Sequence, residues 1–215
     1  GTKDRDLIKF GKDESHIEVV VEKNNIPFQI DIHLKKNSPK GIAINKVPIR
    51  RASELFGIIN IVFFSPQELK LVRESPEERR KFMDIAISQS NKRYFYQLGR
   101  YEKILANRNK LIKNSQNIDV LKETVDIWDR ALVAAAKYIS FERKLFLEQI
   151  LPYAQKAHSY ISGGKENLSL QYKCGCNCKL DESFEENMTK ILRKNLEKDF
   201  KLGYTSIGIH RDDID

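Results

Sequence analysis

A chain of 215 residues, 40% of them hydrophobic, is long enough to bury one good-sized core or two small ones. No apolar run approaches the roughly 18 residues that span a bilayer and no signal-peptide pattern opens the sequence, so a cytoplasmic protein without a membrane segment is expected. The 38 Lys and Arg against 30 Asp and Glu give a formal net charge of +8, which favours polyanionic partners without choosing between nucleic acid, anionic lipid and an acidic protein.

The chain opens on a polar stretch without methionine, which suggests a piece of a longer protein. His16 to Glu22 and Pro27 to Leu34 are β-branched alternating runs separated by Asn24-Asn25, the spelling of a hairpin whose turn needs positive φ. Ile42 to Ile49 reads as a further strand pair with Asn45-Lys46 as its turn, so an antiparallel meander with a polar outer face is expected. Ala52 to Phe56 suggests a single helical turn. Ile61 to Phe64 (IVFF) suits a buried strand, ended by Ser65-Pro66. Ser75-Pro76-Glu77-Glu78 then spells a helix start, with Ser75 at the N-cap and Glu78 closing a capping box.

From Pro76 to about Asn114 the positions Phe82, Ile85, Phe95, Leu98, Tyr101, Leu105 and Ile112 recur mostly at three and four, with Asn91 and Gly99 as weak points. That pattern is one face of one long helix or of two in tandem. After a polar break at 114–119 the helical period resumes to about Ile161, with Pro152 placed to kink or end it. Two long amphipathic helices joined by a short polar loop predict an antiparallel pair, a helical arm. Leu168 to Cys174 returns to strand alternation, Phe184 to Phe200 is a last amphipathic helix, and Gly203 to Asp215 (GYTSIGIHRDDID) forms a short strand-like piece with a dense polar end. The sequence is therefore of the α+β class, with an antiparallel sheet at 1–64, a helical arm at 65–162 and a strand, helix and tail at 163–215.

Chemistry-bearing motifs are sparse. The sequence holds no Gly-x-x-x-x-Gly-Lys-Ser/Thr, no Gly-x-Gly-x-x-Gly and no Gly-x-Ser-x-Gly, so no complete catalytic set is assigned and the piece alone is expected to be inactive. Cys174, Cys176 and Cys178 could place thiolates on one side of a loop, with His158 or His210 completing a zinc site. Their spacing is not the Cys-x-x-Cys knuckle, and an ordinary loop is preferred over a metal site. The odd count in one polar loop does not read as a disulfide framework. The basic residues Arg73, Arg79, Arg80, Lys81, Lys92, Arg93, Arg100, Lys103, Arg108, Lys110 and Lys113 on the first arm helix, with Tyr94, Tyr96 and Tyr101 among them, either track phosphates or form a solvated face with ion pairs. His210-Arg211-Asp212-Asp213 either contributes to a nucleotide or metal site or holds the tail against the arm through Arg–Asp pairing, and the second is preferred.

Three blocks occur together in order: FFSPQELKLVRESPEERRKFMD, LGRYEKILANRNKLIK and GYTSIGIHRDDID. They resemble the RecF family of DNA replication and repair proteins. Glu74 stands where that family usually has glycine, and Ile209 where it usually has proline. The resemblance implies the antiparallel β-sheet remnant of an ABC-type ATPase head with an inserted antiparallel helical arm. The family's phosphate loop would precede a segment like KDRDLIKFGK, and its signature motif and Asp-rich strand would follow the tail, so an internal piece lacking them is implied. Full-length relatives are, on this resemblance, slow DNA-dependent ATPases that bind ATP and Mg at a homodimer interface. They bind single- and double-stranded DNA and with RecR and RecO help load RecA at gaps. No cofactor is expected in the piece itself. Gln67 is then a candidate for the loop that senses the γ-phosphate and metal, with His210 and Arg211 as further cofactor candidates. DNA contact falls to Arg73, Arg79, Arg80, Lys81, Arg100, Arg108 and Lys110, and the competing reading is an arm that docks RecR without touching DNA.

Overall fold

The computed structural model describes residues 3–65, 70–73 and 75–215. The chain divides into two compact units, Gly1–Val62 and Phe63–Asp215.

The first unit is an antiparallel meander of β1 (Glu14–Lys23), β2 (Ile26–Lys35), β3 (Gly41–Ile44) and β4 (Val47–Ile49), adjacent in that order. Its two tight turns are set by the residues expected to tolerate left-handed backbone: Asn24 and Asn25 at φ 53° and 62°, Asn45 and Lys46 at φ 50° and 67°. Asn45 adds a side-chain anchor, its Oδ1 accepting from the Gln29 amide at 2.8 Å. The β1–β2 register pairs Ile17 with Ile32, Val19 with Ile30 and Val21 with Phe28 on one face. Glu14, His16 and Glu18 oppose Lys35, His33 and Asp31 on the other. Ile8, Ile30 and Leu34 are its buried hydrophobics. The turn expected at 52–56 is a 3₁₀ helix, Ala52–Leu55, with Phe56 as its C-cap.

Ile61 to Phe64 depart from expectation. They form no strand, and all four side chains are exposed, Val62 almost fully. A β-branched and aromatic run becomes a strand only where another strand completes its ladder, and among the described residues none does.

The second unit comprises α1 (Lys70–Arg73), α2 (Pro76–Ser90), α3 (Lys92–Asn114), α4 (Ile118–Thr124), α5 (Asp126–Ser162) and α6 (Phe184–Leu202), with the short antiparallel pair β5 (Tyr172–Lys173) and β6 (Asp213–Ile214). Ser75 is the α2 N-cap, but its side chain makes no capping hydrogen bond; the Glu78 amide reaches the Ser75 carbonyl instead, at 3.1 Å. Asn91 divides the first arm segment into two helices. Its amide ends α2 on the Ile87 carbonyl at 2.8 Å, and its Oδ1 starts α3 by accepting from the Tyr94 amide at 3.0 Å. Gly99 leaves α3 unbroken. Pro152 likewise sits inside α5, which continues to Ser162 and stops on Gly163 in the left-handed region at φ 63°.

Helices α3 and α5 run antiparallel: Arg108 meets Asp129, while Asn91, the N-cap of α3, meets Tyr138 and Glu142, later on α5. The core between them holds Tyr94, Tyr101, Ile104, Leu132, Ala135, Ala136 and Ile139, and α6 adds Phe184, Met188 and Leu192 at helical spacing. On α2 the buried residues are Met83, Ile87 and Ser88, whereas Phe82 and Ile85, expected in the stripe, are exposed. The break at Asn91 resets the phase, so a stripe carried across it is displaced on α2. Strand character in 168–174 is confined to Tyr172–Lys173.

Candidate functional site

Two arginines occupy core positions in otherwise apolar stripes. Ile104-Arg108-Ile112 on α3 and Ile139-Arg143-Leu147 on α5 each place a guanidinium between buried neighbours at spacing i, i+4, i+8, and all six residues are buried. A charge drawn into a core must find anionic and hydrogen-bonding partners there. Arg108 finds them on α5, on α6 and in the tail that follows it, and Arg143 on α2 and in the same tail.

Helix α6 ends at Gly203, in the left-handed region at φ 76°, and the chain turns back across α3 and α5. Arg108 Nε donates to Asp129 Oδ1 at 2.6 Å, and its Nη1 donates to Asp199 Oδ2 at 3.0 Å and Thr205 Oγ1 at 2.7 Å. Asp199 also accepts from the Ser206 amide and hydroxyl, and Asn109 Oδ1 accepts from the Thr205 amide. Arg143 donates to both oxygens of Asp84, at 2.9 and 3.0 Å, to the Ile209 carbonyl at 2.9 Å and to Asp212 Oδ2 at 2.6 Å. Asp212 further accepts from the Tyr172 hydroxyl and, at 2.7 Å, from the Gly175 amide. Arg79 grips Asp213 with two nitrogens, at 2.6 and 3.1 Å, and Arg80 donates to the Asp212 carbonyl at 2.7 Å.

Burial pushes the Asp212 and Asp129 carboxyls up, opposed by the guanidinium beside each. Burial likewise raises the Tyr94 and Tyr172 phenols, which stay neutral donors. The Arg79 hydrogen bonds hold the Asp213 carboxyl below its usual range. His210 is pushed down to about 4, first by burial and then by Arg211 and Arg80. Its Nε2 lies 3.1 Å from the Thr205 carbonyl and its Nδ1 2.9 Å from the Tyr101 hydroxyl. A neutral ring that donates from Nε2 and accepts at Nδ1 satisfies both.

Of the residues expected to bind DNA, Arg108 is corrected outright: it is fully buried, and no phosphate can reach it. Arg79 and Arg80 are partly buried and turned onto the tail. Arg73, Lys81, Arg100 and Lys110 are exposed. Lys92, Arg93, Arg100, Lys103 and Lys110 share one side of α3 with Tyr96 and Asn107, all exposed, while Glu102, the acidic residue of that helix, lies off it. Among the described residues none of these five cations makes an ion pair; Arg93 stacks over the Tyr138 ring at 4.4 Å. Gln67 lies outside the described residues. Of the two remaining cofactor candidates, Arg211 is exposed and His210 is turned inward.

Cys176 and Cys178 are buried against the apolar core, and Cys174 is partly so. The Cys174 and Cys176 sulfurs lie 3.1 Å apart, and Cys178 Sγ donates to the Cys176 carbonyl at 3.6 Å. The Cys176 contact and burial raise the Cys174 thiol, and burial raises that of Cys178. Between this loop and α5 lies an open cavity of about 640 Å³ lined in part by Lys144, Glu148, Tyr172 and Cys174. Sequence reasoning missed Arg143, Asp84, Asp129, Asp199 and Tyr172 as site members. The signal was a charged residue at a core position, strongest at Arg108 and Arg143.

The geometry defines an α+β protein in which an antiparallel meander accompanies a helical pair locked by a charged tail. No family model matches the sequence. The DNA replication and repair protein RecF of Agathobacter rectalis is 43% identical over 214 residues, and that of Lachnospira eligens 44% over 216. This chain is covered completely in both comparisons, yet it spans only 57% and 58% of those relatives. Solved structures of the recombination mediator protein RecF in the RecFOR pathway, with ATPrS and with ATP, match the whole chain at TM-scores of 0.82 and 0.81 and 29% identity, over 58% of each. The chain belongs to the RecF family.

Proposed function

We propose that this chain forms part of an ATP-dependent DNA repair and replication protein, and that the outward cationic side of α3 lies along a DNA backbone. The observation that carries the reading is the run Lys92, Arg93, Arg100, Lys103 and Lys110: exposed, without an ion pair among the described residues, and on one side of one helix. From Lys92 to Lys110 the run is about 27 Å long at ~1.5 Å per residue, a length over which one strand presents roughly eight phosphates. Such contacts position a protein on DNA without reading sequence, as a factor acting at many genomic sites requires.

The RecFOR pathway named for the solved relatives supports RecR and RecO as partners, and RecA loading at gaps is the outcome that the family resemblance implies. The ATP complexes support nucleotide binding in the whole protein, with Mg and an ATP-dependent homodimer as the corresponding proposals. The sequence holds no phosphate loop, and both His210 ring nitrogens are engaged within the fold. No catalytic step is assigned to the described residues. Gln67 and Arg211 stand as candidate contacts for nucleotide in the whole protein.

The test is fluorescence anisotropy of labelled duplex and single-stranded oligonucleotides across a salt series. With Lys92, Arg100, Lys103 and Lys110 all changed to Ala, affinity should drop and the slope of log K against log salt should flatten by about 3 to 4 on duplex. An unchanged slope would leave the competing arrangement, an arm that docks RecR without touching DNA.

A further inference from the structure

We infer that the polar face of the β1–β2 hairpin binds a divalent transition-metal ion through His16, Glu18 and Asp31. The register sets His16 opposite His33 and Glu18 opposite Asp31, and alternation puts all four on one side of the sheet. The ligating atoms of His16, Glu18 and Asp31 lie within 4.8 Å of one another. Of these, His16 Nε2 and Asp31 Oδ1 are 3.1 Å apart. That is already the separation of two ligands each about 2.1 Å from one ion, and the Glu18 carboxylate lies within 4.8 Å of both.

The surroundings favour a cation. Gln29 Nε2 donates to Asp31 Oδ1 at 3.2 Å, which orients the carboxylate toward His16. Across the hairpin, His33 Nε2 meets Glu14 at 3.2 Å, and its ring centroid is 6.5 Å from that of His16. The same face thus carries Glu14, Glu18 and Asp31 against Lys35, a local excess of negative charge on a chain whose net charge is +8. One imidazole with two carboxylates suits Zn²⁺, Co²⁺ or Ni²⁺ better than Mg²⁺, which prefers oxygen alone, or Cu(I), which prefers sulfur. The ligands stand on strands paired over ten positions and closed by the Asn24-Asn25 turn, so their spacing is fixed before an ion arrives. Water or His33 completes the coordination.

The experiment is a titration of the chelator-treated whole chain with Co²⁺, followed by visible absorption and calorimetry, for the wild type and for His16→Ala and Asp31→Asn. Both positions are on the sheet surface or partly so, and circular dichroism verifies that each variant folds. One equivalent of Co²⁺ should bind below millimolar concentration without a thiolate charge-transfer band, and each substitution should weaken it at least tenfold. Three results would overturn the assignment: no binding in that range, binding indifferent to both substitutions, or a thiolate band placing the ion on Cys174, Cys176 and Cys178.

Discussion

Arg108 and Arg143 are the residues on which the helical unit's tail depends, because each holds together groups that could not remain buried without it. Deleting one member of a buried ion-pair network strands the others, at a cost of about 3–5 kcal/mol. Arg108→Met would leave Asp129 and Asp199 facing each other in the core, and Arg143→Met would do the same to Asp84 and Asp212. Urea denaturation should show that loss for either variant, against less than about 0.5 kcal/mol for Lys103→Met on the exposed side. Among the described residues Arg108 Nη2 and Asp129 Oδ2 are buried without hydrogen-bond partners, so the Arg108 cluster already bears some cost. His210 gives the unit an acid limit. The folded ring titrates near 4 and the unfolded one near 6.5, so between those values the unfolded chain holds more protons. Its contribution is complete above about pH 6.5 and is lost as the pH falls toward 4, with about 2 kcal/mol gone between pH 7 and pH 5. Asp129 and Asp212, whose pKa values burial raises, act in the opposite sense and blunt the loss. The stability difference between pH 7 and pH 5 should therefore be larger in wild type than in His210→Gln.

At the scale of elements, the Cys174 to Cys178 loop and the tail approach so closely that only glycine fits between them. A β-carbon on Gly175 would lie 2.5 Å from the Arg211 carbonyl carbon and from the Gly208 oxygen, both backbone atoms that cannot swing aside. Gly175→Ala should cost at least about 1–3 kcal/mol and loosen the Gly175 amide bond to Asp212, seen as faster amide exchange in Tyr172–Lys173. The sequence alone made much of this framework legible. Asn-rich turns declare both hairpins because few other residues accept positive φ, and Asn91 declares a helix break because it can cap both sides. What stayed hidden depended on partners far along the chain. A stripe of apolar residues shows which side of α3 faces inward, but not that Arg108 lies on it with Asp199 waiting 91 residues later. Ile61 to Phe64 carry strand propensity, yet propensity supplies no neighbouring ladder.

For the whole molecule, net charge is a poor guide to outward charge. The +8 balance suggests a uniformly basic surface, but Arg79, Arg80, Arg108 and Arg143 are spent inside or against the tail, whereas Lys92, Arg93, Arg100, Lys103 and Lys110 line one exposed side of α3. The predicted salt slope on DNA should follow those residues and not the total count. The buried guanidinium groups also provide a measure of how long the tail stays seated. A dicarbonyl reagent specific for arginine should modify Arg73 and Arg100 at once and spare Arg108 and Arg143 until the polypeptide after Gly203 lifts away. Peptide mass mapping of those two slow sites would then clock that detachment directly, with no nucleotide, oligonucleotide or partner protein in the tube.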